Sequence, residues 1–409
     1  MERVKVLVVG SGGREHALAW KIAQSPLLKE LHAAPGNPGI AALGSCHPVR
    51  AEDPEAVLGL CRQLGIDLVV VGPEAPLVAG LTNVLRHAGV SVFGPSAAAA
   101  RIEGSKGFAK DVMREAGVPH AARLGEPRAP CVIKADGLAA GKGVFLCRTQ
   151  LEAEAAWARA QRRHGPALVE ELLEGEELSL FALCDGSDAL ALAPARDFKR
   201  LEDGDEGPNT GGMGSYSPVP GIGPDEVEEL LELVHRPVLR ELAARGTPFQ
   251  GLLYAGLMLT EDGPRVLEFN CRFGDPETQA ILPRLEGDLL QALAAAAQGS
   301  LAGVEVAASA DAAVTIVLAS QGYPDAPETG TPVEGIEDAE EEGALVFHAG
   351  TALRGHRVVS AGGRVLGVTA VGDSLGEARE RAYRAVARID FPGARFRRDI
   401  AAKAVGVPS

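Results

Sequence analysis

Short runs of β-branched residues alternate with helical patterns over the first 95 residues, and this alternation constrains the fold more than any other feature of the chain. The first run, residues 4–9, precedes Gly10 and a helical pattern that starts at about Glu15; further runs occupy residues 67–71 and 90–93. Strands joined through helices pair in parallel, because a parallel neighbour needs a long crossover connection. We therefore predict a parallel, helix-covered sheet.

Two of the connecting helices have recognisable ends. Asp53 followed by Pro54 is typical of a helix start. Leu77, Leu81 and Leu85 lie at helical spacing and predict one helix that ends at Gly89.

The rest of the chain changes character at several points. Strands at 131–134, 167–169 and 178–184 lie among charged helices, and a larger α+β unit follows to about residue 321. In that unit, Asp225 and Glu228 are expected to cap a helix. After residues 322–324, a small sheet-rich unit closes the chain. We predict domains at 1–100, 101–190, 191–324 and 325–409.

Composition excludes several classes of protein. The 409 residues exceed the roughly 250–300 that one core normally holds. A formal net charge of −15 leaves no overall basic surface for nucleic acid or anionic membranes. The six cysteines are isolated, as in reduced buried thiols, and no apolar run approaches the ~18 residues of a membrane span. We expect a cytoplasmic protein, acting as a monomer, that binds neither nucleic acid nor membranes.

The segment Gly10 to His16 directly follows the first strand, where a turn can aim backbone N–H groups at phosphate. Gly12, Gly13 and Arg14 are candidate binding residues on this turn. A dinucleotide fingerprint is not complete, because Glu15 stands where its third glycine is needed. A phosphate-binding turn and an ordinary glycine-rich turn both stay open.

A second glycine-rich segment follows the strand that ends at Lys134. It contains Gly137, Gly141, Lys142 and Gly143, and backbone without Cβ atoms can close tightly over phosphates. It is not a P-loop, since a P-loop needs Gly at position 136 and Ser or Thr at position 143. The segment is either the lid of another nucleotide-binding fold or a flexible surface hairpin.

Two carboxylate-rich segments are further candidates. Residues 170–179 hold five carboxylates between two predicted strands and are either a solvated acidic loop or a nucleotide hinge. Glu268 and Asn270 lie two apart at a strand end, so both oxygens share a face and could bind a hard cation such as Mg²⁺. Arg272 could stabilise phosphoryl oxygens there. The alternative is a salt-bridged strand end.

Taken together, these segments resemble the ATP-grasp superfamily and, within it, the phosphoribosylamine–glycine ligases (glycinamide ribonucleotide synthetases). The resemblance covers almost the whole chain. The matching motifs are GSGGREHALAW (10–20), PGNPG (35–39), VVVGPEAPLVAGL (69–81), FGPS (93–96), EGSKGFAK (103–110), VIKADGLAAGKGV (132–144), EELLEGEELS (170–179), DGDEGPNTGGMGSYSPVP (203–220), LYAGLM (253–258), LEFNCRFGDPETQ (267–279) and FHAGT (347–351).

The resemblance implies an α/β and α+β multidomain fold. Residues 1–100 would form a Rossmann-like domain, 101–190 an ATP-grasp subdomain with the glycine-rich lid, 191–324 an ATP-grasp subdomain with the metal site, and 325–409 a small sheet-rich C-terminal domain. It also implies an activity: ATP-dependent ligation of glycine to 5-phosphoribosylamine through glycyl phosphate, giving glycinamide ribonucleotide, ADP and phosphate in de novo purine biosynthesis, with Mg²⁺ or Mn²⁺ as cofactor.

Residue roles follow from the same resemblance. Lys106 and Lys134 resemble the lysines that reach the nucleotide phosphates, with residues 137–143, Lys142 among them, as the lid. Glu171 and Leu173 resemble backbone contacts to adenine, Glu177 the ribose-binding acid, and Glu268 and Asn270 the metal ligands. Lys134 and Arg272 would stabilise phosphoryl transfer. Glycine binding is implied for Asp197, Arg272 and Asp275, and sugar-phosphate binding for Gly12, Gly13, Arg14 and Asn37.

One position departs from the family pattern, since Phe198 stands where a histidine is expected, which puts a proton-transfer role there in doubt. Two other functions stay open at this point. One is a purine-pathway ATP-grasp ligase that activates bicarbonate or formate. The other is a catalytically silent nucleotide-binding protein on the same scaffold. His348, in the last domain, is expected to be a structural polar residue rather than a catalyst.

Overall fold

The structure is a computed structural model that describes residues 3–138 and 143–407. The N-terminal part contains β1 (Val4–Gly10), α1 (Gly13–Ile22), β2 (Leu28–Pro35), α2 (Pro38–Ala41), β3 (Ser45–Cys46), α3 (Pro54–Leu64), β4 (Leu68–Val71), α4 (Glu74–Val78), α5 (Leu81–His87), β5 (Ser91–Phe93), α6 (Ala97–Gly104) and α7 (Lys106–Glu115). Its strands pair in the order β3-β2-β1-β4-β5, and every pair is parallel. The predicted parallel, helix-covered sheet is therefore confirmed.

Of two predicted helix boundaries in this part, the structure has one and lacks the other. Asp53 caps α3 as predicted, because its carboxylate accepts a hydrogen bond from the Ala56 N–H at 3.1 Å. The prediction of one helix through Leu77 and Leu85 is wrong. The chain forms two short helices, α4 and α5, because Gly80 adopts a left-handed conformation with φ of 93° between them. Glycine reaches that conformation without steric cost.

Two antiparallel sheets follow. The elements are β6 (Arg123–Leu124), β7 (Cys131–Ala135), β8 (Val144–Cys147), α8 (Gln150–His164), β9 (Ala167–Glu171), β10 (Glu176–Asp185), β11 (Ala189–Ala191), β12 (Arg196–Asp197), β13 (Arg200–Glu202), β14 (Glu206–Asn209), β15 (Gly214–Ser217), α9 (Pro224–Leu230), α10 (Arg236–Ala244), β16 (Gln250–Thr260) and β17 (Gly263–Asn270). One sheet has the order β6-β9-β7-β8 and the other β11-β10-β16-β17. The expected cap by Asp225 and Glu228 is wrong, because Glu226 is the side chain that accepts the Gly223 N–H, at 2.9 Å.

The last part contains α11 (Glu277–Ile281), β18 (Leu285–Glu286), α12 (Leu289–Gln298), β19 (Ala307–Ala308), β20 (Ala312–Ala319), α13 (Ile336–Glu341), β21 (Leu345–His348), β22 (Thr351–Arg354), β23 (Arg357–Ser360), β24 (Arg364–Gly372) and α14 (Leu375–Val386). A five-stranded sheet, β12-β15-β20-β24-β21, joins strands from both sides of residue 324. The domain limits at 100, 190 and 324 stay a prediction. Across the described residues, no helix combines the length and apolar character needed to cross a membrane.

Candidate active site

Lys134 joins the two antiparallel sheets. It lies on β7, and its ammonium donates a hydrogen bond of 2.8 Å to the Leu267 carbonyl of β17. The same ammonium lies 2.8 Å from Oε2 of Glu170 on β9. Lys134 and Glu170 are both buried. A cation with a fixed position therefore lies between the two sheets, in the region that is called the cleft below.

Lys106 approaches the same cleft from the start of α7. Its N–H donates to Oδ1 of Asp136 at 2.6 Å, and its ammonium donates to the Gly137 carbonyl at 3.0 Å. Burial lowers the pKa of Lys106, although the carboxylate of Glu268 acts in the opposite direction. Lys106 thus contacts the first residues of the predicted lid.

The predicted lid is described only at its ends. Gly137 has φ of 93°, a left-handed conformation suited to glycine. The Gly143 carbonyl accepts a hydrogen bond from the Ala135 N–H at 2.8 Å. Gly141 and Lys142 lie outside the described residues.

The predicted metal ligands lie two residues apart on β17. Glu268 pairs with Gly256 and Asn270 with Tyr254 on the neighbouring strand β16. No hydrogen bond or ion pair from residues 3–138 and 143–407 reaches the Glu268 carboxylate. Its oxygens are therefore available as ligands, and a carboxylate beside an amide oxygen fits Mg²⁺ or Mn²⁺.

The charge around Glu268 supports its ionised form. Burial raises the pKa of Glu268, but the ammonium groups of Lys199, Lys134 and Lys106 outweigh it, and the pKa lies below its ordinary value. Among the described residues, no cluster of three or more His, Cys, Asp or Glu side chains could hold a metal. Any cation here would complete its coordination with water or with a bound anion, as Mg²⁺ commonly does.

The predicted nucleotide hinge is well ordered by contacts within the chain. Oε1 of Glu171 accepts the Ala122 N–H at 2.7 Å and lies 2.9 Å from Nη1 of Arg265. Leu173 lies between β9 and β10. Glu177 forms an ion pair of 2.6 Å with Lys199. The prediction for Glu171 concerned its backbone, and the side-chain contacts hold that backbone in place.

Asp197 lies in a cluster of carboxylates at the other side of the cleft. Burial raises the pKa of Asp197 to about 8; the charge of Lys199 opposes the shift, and Glu277 and Glu177 add to it. Oδ1 of Asp197 is 4.0 Å from the Lys199 ammonium. Glu277 is buried and accepts a hydrogen bond from the Ser179 hydroxyl at 3.2 Å. This cluster would favour a ligand that carries a positive charge.

Arg272 lies beyond the end of β17 and contacts two other segments. Its Nε is 3.2 Å from Oε2 of Glu74, and its Nη2 is 3.1 Å from Oε1 of Glu103. Its Nη1 donates to the Phe273 carbonyl at 3.1 Å. Burial lowers the pKa of Arg272, but the two carboxylates outweigh it and raise the pKa above its ordinary value. Nη2 of Arg272 also lies 3.4 Å from Oδ1 of Asn270, so Arg272 ties helices α4 and α6 to the end of the metal-ligand strand.

The glycine-rich turn after β1 lies next to the Arg272 contacts. Arg14 donates to Oε1 of Glu15 at 2.5 Å and, through Nη1, to the same Phe273 carbonyl at 3.1 Å. The Gly12 N–H donates to Oε2 of Glu15 at 2.5 Å. The turn borders a cavity of about 320 Å³, whose walls comprise Gly10, Ser11, Gly12, Glu15, Pro35, Arg50, Ala51, Glu52 and Pro73.

Close approach explains the two glycines of the turn. A Cβ at Gly13 would lie 2.6 Å from the Gln279 amide nitrogen, and one at Gly12 would lie 2.7 Å from Glu15. The same Cβ at Gly12 would lie 3.6 Å from Oδ2 of Asp275. The turn therefore packs directly on the segment that carries Asp275.

Asn37 and Asp275 are both engaged within the chain. Asn37 caps α2 through the Ile40 N–H at 2.9 Å, and its amide donates to the His348 carbonyl at 2.8 Å. Asp275 pairs with Arg364 at 3.0 Å. A substrate could use these two side chains only by sharing or replacing such contacts.

The structure brings the predicted residues into two groups. Lys106, Lys134, Glu268, Asn270 and Asp197 line the cleft, while Gly12, Gly13, Arg14, Arg272 and Asp275 lie at the junction with the N-terminal sheet. Sequence reasoning missed Glu74, Glu103, Lys110 and Glu277. All four lie inside the motifs quoted above, and Lys110 lies four residues after Lys106, on the same helix face.

His348 is buried at the contact between α1 and β21. Its N–H donates to Nδ1 of His16 at 2.8 Å, and its own Nδ1 lies 3.0 Å from the Thr351 hydroxyl. These contacts agree with the expected structural role.

The buried histidines predict a loss of stability in acid. Burial lowers the pKa of His16 to about 3 and those of His235 and His348 to about 4. The unfolded chain takes up these protons below about pH 6.5 while the folded chain does not, so stability is complete above that pH and falls towards pH 4. We expect a loss of about 1 kcal/mol per pH unit for each histidine.

Urea unfolding at pH 7, 6 and 5 would measure this slope. His348→Asn should reduce it, whereas the matched change His356→Asn, at an exposed position, should leave it unchanged. Equal slopes in the wild type and His348→Asn would contradict the prediction.

Comparisons with known proteins agree on one family. Three family models of phosphoribosylglycinamide synthetase match the chain: the N domain at residues 4–103, the ATP-grasp (A) domain at 104–278 and the C domain at 313–403. A phosphoribosylamine–glycine ligase of Streptomyces coelicolor is 54% identical over 98% of this chain and 100% of its own length.

Solved structures show the same fold. The phosphoribosylamine–glycine ligase of Thermotoga maritima superposes with a TM-score of 0.83 at 35% identity, covering 97% of this chain and 100% of its own. A biotin carboxylase domain of Hydrogenobacter thermophilus 2-oxoglutarate carboxylase, solved with MgADP and bicarbonate, reaches a TM-score of 0.72 at 17% identity over 97% of this chain and 92% of its own. That likeness concerns the fold alone. The chain belongs to the phosphoribosylglycinamide synthetase family of ATP-grasp enzymes.

Proposed function

We propose that the chain joins glycine to 5-phosphoribosylamine at the expense of ATP, giving glycinamide ribonucleotide, ADP and phosphate in de novo purine biosynthesis. Membership of the ligase family supports this substrate pair. The observation that carries the proposal is the approach of Lys106 and Lys134 to the Glu268 carboxylate, which no described residue engages through a hydrogen bond or ion pair. Cations beside an ionised carboxylate suit phosphoryl transfer from a nucleotide.

The chemistry needs an activated carboxylate, because a carboxylate oxygen is a poor leaving group. In the first step, a carboxylate oxygen of glycine attacks the γ-phosphorus of ATP, and the bond to ADP breaks. In the second step, the sugar amine attacks the carbonyl carbon of glycyl phosphate; phosphate leaves, and the amine nitrogen loses a proton. Few residues need to move protons, so positioning and charge stabilisation carry most of the catalysis.

Lys106 and Lys134 are assigned to the nucleotide phosphates, with Lys134 also stabilising charge on the transferred group. Residues 137–143 are assigned as a lid that keeps water from glycyl phosphate, which would otherwise hydrolyse. The backbone of Glu171 and Leu173 would contact adenine, and Glu177 would accept hydrogen bonds from ribose. Glu177 would then replace its present ion pair with Lys199 by hydrogen bonds from ribose.

Glu268 and Asn270 would hold the metal ion, Mg²⁺ or Mn²⁺. When bound, the metal would neutralise charge on the phosphoryl oxygens. The fit rests on the Glu268 carboxylate, which forms no hydrogen bond or ion pair with the described residues, and on the Asn270 amide oxygen, whose 3.4 Å contact with Nη2 of Arg272 a metal would share or replace.

Glycine is assigned to Asp197, Arg272 and Asp275, and the acidic surroundings of Asp197 suit its ammonium group. The sugar phosphate is assigned to the turn of Gly12, Gly13 and Arg14, with Asn37 holding the turn through its bond of 2.9 Å to the Ser11 carbonyl. Arg14 and the Gly12 N–H both contact the Glu15 carboxylate, so a phosphate bound at this turn would share or replace those contacts.

The direct test is ADP release by the purified protein with ATP, magnesium and freshly generated phosphoribosylamine. We expect release only when glycine and the sugar amine are both present, with the amide product detected by mass spectrometry. Bicarbonate, formate and other amino acids serve as matched controls. Release with bicarbonate or formate would favour the alternative ligase, and ATP binding without acid-dependent turnover would favour a silent nucleotide-binding protein.

We also propose that one chain forms the complete site and acts as a cytoplasmic monomer. What supports a single-chain site is that residues assigned to it contact one another, or neighbours of one another, within the chain. Size-exclusion chromatography with light scattering at assay concentration would check it, and an activity that falls with dilution would contradict it.

A further inference from the structure

A buried triad of Lys110, Glu170 and Lys134 lies beneath the cleft. The Lys110 ammonium is 3.1 Å from Oε1 of Glu170, and the Lys134 ammonium is 2.8 Å from Oε2. Glu170 is 1% exposed, so one carboxylate without access to water is shared by two lysines. The proposed function uses Lys134 but gives no role to Lys110.

The charges of the triad differ from those of a simple ion pair. Two ammonium groups and one carboxylate carry a net charge of +1. Without Lys110, Glu170 and Lys134 would form a neutral buried pair. Such a pair would hold Lys134 more strongly and would present no net charge to an anion.

We propose that Lys110 is a positioning residue for nucleotide binding: it shares the Glu170 carboxylate and thereby leaves the charge of Lys134 available to the nucleotide phosphates. This inference rests on the proposed role of Lys134. Lys110 itself is buried and acts through Glu170 rather than by contact with the nucleotide.

The surroundings fix Lys110 in this position. Its ammonium also donates to the Ala121 carbonyl at 2.7 Å, and Oε1 of Glu171 accepts the N–H of the next residue, Ala122, at 2.7 Å. Two neighbouring glutamates of β9 therefore hold the segment before β6. Glu171 contacts it directly, and Glu170 acts through Lys110. A side chain held by two such contacts loses little further freedom when a ligand binds.

The same geometry predicts a dependence on pH. Burial lowers the pKa of Lys110 to about 8, against the opposing charge of Glu170. The charged groups with the largest effects on Lys110 are Glu170 and Glu171 on β9 and Lys134 on β7. Lys110 is protonated below this pH, so the triad loses its net charge, and nucleotide affinity falls, as the pH rises through about 8.

Calorimetric titration with a non-hydrolysable ATP analogue and magnesium tests the proposal on the intact protein. We expect Lys110→Met to raise the Kd of the analogue about tenfold at pH 7. Lys110→Arg keeps the charge, so its Kd at pH 7 should stay within about twofold of the wild-type value. Between pH 7 and 9, the affinity of the wild type should fall, whereas that of Lys110→Arg should not show this fall. Lys21→Met is the matched control, since Lys21, in the last turn of α1, also donates to a backbone carbonyl, that of Leu285, but does not belong to the triad.

The outcomes separate this inference from the proposed function. A folded Lys110→Met protein with wild-type affinity, beside a weakened Lys134→Met protein, would overturn the inference alone. Wild-type affinity in Lys134→Met would overturn the assigned role of Lys134. If Lys110→Met does not fold, the comparison of the wild type with Lys110→Arg between pH 7 and 9 decides, and identical pH profiles would overturn the proposal.

Discussion

Glu268→Ala should lower kcat by about a thousandfold or more while the protein stays folded. The carboxylate has no partner among the described residues, so its removal leaves no buried donor unsatisfied. The positive charges of Lys199, Lys134 and Lys106 nevertheless all lower the pKa of this carboxylate and keep it ionised. Without it, the proposed metal would lose its charged ligand, and charge on the transferred phosphoryl group would be stabilised less well.

Steady-state assays at saturating magnesium, together with direct titration of Mn²⁺, would measure the effect. The matched control is Glu261→Ala, in the exposed turn that joins β16 to β17. The control should keep wild-type kcat and metal affinity. Near-wild-type turnover of Glu268→Ala at saturating magnesium would show the metal assignment to be wrong.

The placement of Glu268 and Asn270 two residues apart on β17 shows what a sequence can predict. Alternation along a strand places residues two apart on one face, so local sequence was enough to put these oxygens together. The parallel N-terminal sheet was predictable for a similar reason, since its strands are short apolar runs with helical patterns between them. Both inferences depend only on neighbours in the chain.

Other features depend on tertiary contacts and were not predictable in this way. The contacts of Arg272 with Glu74 and Glu103 could not be derived from the strand pattern, because β17 ends at Asn270 and the two carboxylates lie far away in the sequence. Nη2 of Arg272 also lies 3.4 Å from Oδ1 of Asn270. The sharing of Glu170 by two lysines joins a helix and two strands that are far apart in sequence. The resemblance named Lys134 but gave no reason to consider the carboxylate that it contacts.

Arg272→Met should destabilise the protein and inactivate it together. Arg272 and Glu103 are largely buried, with side chains 17% and 9% exposed. Removing one partner of a buried ion pair leaves an uncompensated charge and typically costs about 3–5 kcal/mol. Burial raises the pKa of Glu103, which the charge of Arg272 now opposes, so without Arg272 the carboxyl group would tend to take up a proton. We also expect kcat/KM to fall by about a hundredfold or more, because glycine and the phosphoryl group would lose a cation.

Arg236 provides a control that separates the effect of burial from that of charge. Arg236 contacts Asp188, Glu228 and Glu232, whose side chains are at least 57% exposed, so Arg236→Met should cost less than about 1 kcal/mol. Urea unfolding gives both free energies. Adding Glu103→Gln to Arg272→Met should recover part of the lost stability, since the stranded charge is removed, but it should not recover activity.

The double variant decides what Arg272 does. If stability and activity both return, Arg272 only ties Glu103 and Glu74 together and has no direct part in the reaction. If stability returns without activity, the guanidinium acts on the substrates as well. The first result would move Arg272 from the proposed catalytic residues to the structural ones, and it would leave Lys134 and the metal as the proposed sources of positive charge for phosphoryl transfer.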